Sequence, residues 1–200
     1  MEIAEKVEYF KNELAYILNP TIKEFATKEV GFLPDYFFAI PASSTGQYHP
    51  AYSLGEGGLA RHTRAAIRIA MELNRMDDYK FTPDEIDLSI AALLVHDGWK
   101  SGLVKETYTR ADHPLIAEAE LKKNESLNTM LPPEQFNVFL GLIARHMGQW
   151  TRDYKTGQEL MHKPETPLEK FVHLCDYLAS RKCLIMAFDV GIVRERQSAI

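Results

Sequence analysis

Six side chains stand out for the chemistry they can do: His62, His96, Asp97, His113, His146 and Asp176. Two of them are adjacent, at the end of the stretch PDEIDLSIAALLVHDGWK (residues 83–100). At helical spacing Ile86, Ile90, Leu93 and Leu94 make one apolar stripe, and Asp97 falls on it a turn later. A carboxylate there is expected to be buried. Burying it charged is costly unless something cationic faces it, and the neighbours offer only His96, Lys100 or a metal ion. His62 lies within a second stripe (Leu59, Ala66, Ile69, Ala70, Leu73), and His146 closes a third (Phe136, Phe139, Leu140, Ile143). His113 opens a shorter helix, and Asp176 sits between Val172 and Ala179 on an inward face. Each residue alone has a plainer reading, as a satisfied core histidine or a capping aspartate. All six together, mostly from different helices, are better explained by a shared cation, because every buried imidazole or carboxylate needs a partner.

The elements that must position them read as helices. Ile3, Val7, Phe10, Leu14 and Ile17 predict an amphipathic helix over residues 2–18, followed by a short one to about Lys28. Residues 31–58 are rich in glycine, proline and aromatics, with at most one helical turn near Asp35 to Ala39. They predict a packed irregular wall, in which Ser43 to Gly46 has the makings of an anion-holding turn. A helix starts at Gly57. Thr82-Pro83-Asp84-Glu85 and Thr166-Pro167-Leu168-Glu169 are capping boxes that open two more. Others run from about Asp112 to Lys123 and from Pro132-Pro133 to His146, and residues 147–165 form a second long polar loop. No strand, repeat or low-complexity tract emerges. The expectation is an all-α fold: a single compact helical domain with long irregular loops around a central metal site.

Composition narrows the possible partners. Two hundred residues with 46% hydrophobic and 26% charged content suffice for one sizeable core. The expected organisation is residues 1–55 packing on a core of 56–190, with 191–200 as a tail. A net charge of -5 and a pI near 5.8 argue against holding long nucleic acid by backbone electrostatics. Cys175 and Cys183 are expected to face inward from one helix as small core residues. With an acidic amphipathic N-terminus and no apolar run of membrane length, a cytoplasmic setting without membrane contact is expected.

His62 in GGLARHT, His96-Asp97 in LLVHDGWK and Asp176 in VHLCDYLASRK together resemble the signature of the HD-domain metal-dependent phosphohydrolases. The resemblance covers roughly residues 56–190. It implies that these four bind a first divalent ion, that Asp97 bridges to a second, and that His113 and His146 complete a two-metal site. Manganese, iron, nickel, cobalt and magnesium are the candidate ions. Lys100, three residues after Asp97, is similar to the His-Asp-x-x-Lys form of the phosphodiesterase branches, including HD-type 3'-to-5' exoribonucleases and HD-GYP cyclic-dinucleotide enzymes, although no GYP motif follows.

The implied activity is hydrolysis of a nucleotide, cyclic nucleotide or short oligonucleotide by metal-activated water. Asp97 and Lys100 are the expected catalytic residues, and Lys100, Arg145, Arg181, Tyr48 and His49 the expected substrate contacts. His173, one turn before Asp176, is a candidate partner for it. Two other readings are a metal-dependent nucleotide-binding module that does not hydrolyse its ligand, and a helical scaffold that forms a homodimer through its N-terminal helix.

Overall fold

The computed structural model describes residues 1–184 and Met186. Among them lie nine α-helices and no strand, only an isolated bridge between Arg152 and Glu159 in the second long loop. The fold is all-α. No described helix is long and apolar enough to cross a membrane.

The helix α5 (Pro83–Val95) is the centre of the molecule, and its sequence says why. Every residue from Ile86 to Val95 is buried, including Asp87 and Ser89, so it is apolar on all sides and needs cover on all sides. Its start is fixed by the Thr82 box: Thr82 Oγ1 accepts from the Glu85 amide at 3.3 Å, and Glu85 accepts from the Thr82 amide at 2.7 Å. Packed against it are α3 (Pro20–Phe32), α4 (Gly58–Leu73), α8 (Pro133–Ala144) and α9 (Pro167–Ala179), and α4 and α9 also pack on each other. The Thr166 box opens α9, with amide bonds of 3.2 Å to Thr166 Oγ1 and 3.0 Å to Glu169. A further helix, α6 (His113–Lys122), lies on α8.

The N-terminal region departs from expectation. Instead of one helix there are two, α1 (Ile3–Tyr9) and α2 (Lys11–Leu14), broken at Phe10. The break lets Phe10 bury fully against Phe37 and Phe38, at 6.1 and 5.8 Å between ring centroids, while Ile3 stays exposed. Glu13 on α2 is buried, with its Oε1 3.0 Å from Arg64 Nε on α4. The next helix, α3, runs to Phe32 rather than to about Lys28. Its last turn passes Gly31, where a Cβ would come within 2.9 Å of Ile3. A four-residue helix, α7 (Glu125–Asn128), was also not foreseen. Cys175 is buried as expected, but α9 ends at Ala179 and leaves Cys183 exposed beyond it. The predicted tail, 191–200, lies outside the described residues.

Residues 33–57 form the expected packed wall, with short 3-10 turns at Asp35–Phe38 and Ala51–Ser53. The wall is tied to α4. Arg61 donates to the carbonyls of Tyr52 and Leu54, at 2.5 and 2.9 Å. Gly58 sits so close to the Ser53 carbonyl that a Cβ would fall 2.3 Å from its oxygen.

Candidate metal centre

The six polar residues meet where α4, α5, α6, α8 and α9 converge. His62 projects from the middle of α4. His96 and Asp97 follow the last turn of α5, His113 is the first residue of α6, His146 follows α8, and Asp176 lies near the end of α9. The four histidines and Asp97 are at most 1% exposed.

Three of the histidines are aimed by one device. The Nδ1 of His96, His113 and His146 each lies 2.7 Å from the carbonyl three residues earlier: Leu93, Arg110 and Ile143 respectively. A neutral imidazole that donates from Nδ1 carries a bare lone pair on Nε2. The three Nε2 atoms converge. The Nε2 atoms of His113 and His146 are 3.1 Å apart, and they stand 3.0 and 3.6 Å from Asp97 Oδ1. On the other side of the carboxylate, Asp97 Oδ2 is 3.5 Å from His96 Nε2 and 3.8 Å from His62 Nε2. Asp176 Oδ1 is 3.5 Å from His96 Nε2 and 2.8 Å from His62 Nε2.

The protonation states sharpen the picture. Burial alone would raise the Asp97 carboxyl, but the charges of Lys100 and His96 hold it well below the usual carboxylate range. Asp176 is likewise held down against burial by His62 and His96. Burial pushes His146 down to about 4, so it is neutral at pH 7. His96 goes up despite burial, because two carboxylates face it. The ionised Asp97 carboxylate therefore faces the Nε2 lone pair of neutral His146 at 3.6 Å. His96 Nε2 and Asp97 Oδ1 are buried with no hydrogen-bond partner. Acceptors facing acceptors in a dry interior is unfavourable unless a cation lies among them.

The donors fit such a cation. They divide into two groups, His62, His96, Asp97 and Asp176, and Asp97, His113 and His146. Within each group the ligand atoms lie within 4.8 Å of one another. Two ligand atoms each about 2.1 Å from one ion are about 3.0–3.5 Å apart at ordinary coordination angles, close to the 2.8–3.8 Å separations seen here. The site also lies at the C-terminal ends of α5 and α8, where the helix dipoles favour positive charge.

An all-helical fold with paired His/Asp groups buried at its centre defines a class of divalent-metal-binding proteins. A family profile, that of the HD domain, matches residues 59–181, more than half of the chain. The chain belongs to the HD domain family, whose members bind divalent metals and are generally metal-dependent phosphohydrolases. Searches of curated proteins and of solved structures gave no significant match.

Beside the metal groups opens a cleft of about 490 Å³. His113 and Asp176 form part of its floor, and Lys100, Tyr48, His49 and Arg181 are on its walls. Lys100 Nζ is 2.5 Å from Asp97 Oδ2. His49 lies ring to ring with His62 at 5.5 Å, and its buried Nδ1 has no partner. Burial first, then the charges of Lys100 and His62, push it down to about 3. The fifth expected substrate contact is elsewhere. Arg145 pairs with Glu165 and Glu169 at 3.1 and 3.5 Å and lines a separate groove, because it points from the end of α8 toward the start of α9. His173 bonds the carbonyl of His146 at 2.8 Å rather than Asp176. Ser43 joins the cleft wall, its Oγ accepting the Gly46 amide at 3.1 Å.

Among the lining residues missed from sequence are Trp150 and Tyr177. The signal was adjacency: Trp150 is four residues past His146, and Tyr177 follows Asp176 directly.

Proposed function

We propose that this protein is a metal-dependent phosphoester hydrolase acting on a nucleotide, cyclic nucleotide or short oligonucleotide. The observation that carries this reading is that one buried carboxylate, Asp97, belongs to both ligand groups, the arrangement of a two-ion centre. His62, His96, Asp97 and Asp176 would hold one ion, and Asp97, His113 and His146 the other. When bound, the ions supply Lewis acidity toward a phosphoryl oxygen and a water of lowered pKa. A donor set with four imidazoles favours manganese, iron, cobalt or nickel over magnesium, which prefers oxygen ligands.

The chain's own groups do the rest. Lys100, held against Asp97 and facing the cleft, neutralises charge on a phosphoryl oxygen as it builds. His49, neutral and with an unpartnered ring nitrogen, offers a hydrogen bond to the ester. The His-Asp-x-x-Lys spacing supports a phosphodiester as the preferred substrate.

The test is turnover of bis-p-nitrophenyl phosphate and a nucleotide panel by protein whose ion content has been measured. Lys100→Ala is expected to lower kcat about 10²-fold, the size of effect seen when one transition-state donor is lost. No turnover by protein with both ions in place would overturn hydrolysis and leave a nucleotide-binding module.

A further inference from the structure

The cleft has two chemically different ends. One is the metal-side floor with Lys100 and His49. The other is aromatic. Trp150 is 45% exposed, although the exposed surface of a large ring is costly to maintain in water. It lies nearly parallel to the Tyr177 ring, at 5.7 Å between centroids and 19° between planes. The Arg181 guanidinium sits over the same tyrosine at 4.3 Å, with its Nε and Nη2 bonded to Ser180 Oγ at 3.1 and 2.6 Å. The Trp150 ring also meets His173 edge-on at 6.0 Å, and its amide donates to Met147 at 3.2 Å. Its orientation is therefore set by neighbours while much of its surface stays open.

The two ends are built on the same two segments. The turn after α8 carries His146 and, four residues on, Trp150. The last turns of α9 carry Asp176, then Tyr177, with Arg181 just beyond. His173 joins the segments by bonding the His146 carbonyl while touching Trp150. Whatever occupies the aromatic end is thereby placed in register with whatever the buried centre holds. A planar π-system attached to a phosphoester is the ligand that satisfies both, and about 490 Å³ is ample for one nucleotide.

We propose that Trp150, Tyr177 and Arg181 form a nucleobase-stacking subsite that seats the base of the substrate while its phosphoester lies over the buried centre. The proposal rests on the phosphoester reading above for where the phosphate lies, but the stacking is measurable without turnover. Every base offers a π-face, so the subsite tolerates all four bases and favours purines by contact area. Arg181 adds cation-π and hydrogen-bonding capacity at its edge.

Tryptophan fluorescence reads the subsite directly, because the chain has only Trp99, which is buried, and Trp150. Adenosine 5'-monophosphate added to metal-loaded protein should quench the emission, and ribose 5-phosphate should not. The quench should be absent in Trp150→Ala, whose exposed position leaves the core intact. Quenching that persists in Trp150→Ala, or is equal with ribose 5-phosphate, would overturn the proposal. In kinetics, Trp150→Ala should raise KM for thymidine 5'-monophosphate p-nitrophenyl ester about tenfold, with Trp150→Phe restoring most of the loss. The preference of wild-type protein for that ester over methyl p-nitrophenyl phosphate should shrink accordingly. Turnover of both esters without preference would sink the stacking subsite and leave hydrolysis standing. Nucleotide quenching without any turnover would do the reverse.

Discussion

Replacing Asp97 should remove more metal-linked stability than replacing any other ligand, because it is the one residue common to both groups. In Asp97→Ala the first group falls from four ligands to three and the second from three to two. In His62→Ala only the first loses a member. A ligand's outer-sphere partner is worth 10–100-fold in metal affinity, so a direct ligand is worth about 100-fold or more, roughly 2.7 kcal/mol per ion. Asp97→Ala should therefore forfeit about 5 kcal/mol of metal-linked stability and His62→Ala about half of that. In a chain of 200 residues each kcal/mol moves Tm by about 2–4 °C. The expected loss is roughly 10–20 °C for the first variant and roughly 5–10 °C for the second, out of the increment that saturating metal confers on wild type.

The quantity to measure is that increment, by calorimetry of chelator-stripped and manganese-saturated protein, with bound ions counted by elemental analysis. Absolute Tm is less informative, since removing Asp97 from metal-free protein also breaks its ion pair with Lys100. Two results would refute the reasoning: an Asp97→Ala increment as large as that of wild type, or a His62→Ala variant that loses both ions.

Two further outcomes follow from residues outside the ligand set. Gly148 has φ +64° and lies against the His173 ring, so that an added Cβ would stand 2.1–2.5 Å from its atoms. Gly148→Ala should displace His173, release the His146 carbonyl, and cut bound metal from two ions to one with the circular dichroism unchanged. Two tightly held ions in that variant would show that His173 does not position His146. Glu29 on α3 is buried, its Oε1 has no partner, and burial pushes its carboxyl from 4.5 up to about 8. The folded state then binds the extra proton between those values, so this contribution lowers stability as pH rises through the window and is fully lost above it. Glu29→Gln should gain roughly 3–5 kcal/mol on wild type between pH 5 and pH 8.5, by urea titration of metal-free protein. A wild-type-to-variant difference that is the same at both pH values would mean that Glu29 is not buried as an acid.

What the chain revealed in advance was whatever is encoded locally. Thr82 and Thr166, each followed by proline and then by glutamate, mark helix starts through bonds made within four residues. A polar residue on an apolar stripe, such as His62 or Asp97, declares its burial through periodicity alone. The break at Phe10 was not legible, because it is decided by Phe37 and Phe38, which only the fold brings close. The same holds for Arg145. Its proximity to His146 suggested the cleft, but the carboxylates that claim it come from Glu165 and Glu169, some twenty residues away. Trp150 looked like one more loop residue until His173 and Tyr177 were placed beside it.

The repeated bond from Nδ1 to the carbonyl three residues back explains how so acceptor-rich a site is assembled. His96 and His146 each follow the final turn of a helix, where the last carbonyls lack amide partners. By donating to the Leu93 and Ile143 carbonyls they give the helix ends side-chain partners, and in the same act they turn Nε2 toward the site. His113 uses the loop carbonyl of Arg110 to the same effect. Folding thus fixes the aim of three ligands through three local bonds. The unfavourable part, the His146 lone pair facing the Asp97 carboxylate, is held in place by the packing of α5, which is buried on every side. Ligands aimed by such local bonds lower the ordering cost of holding a cation.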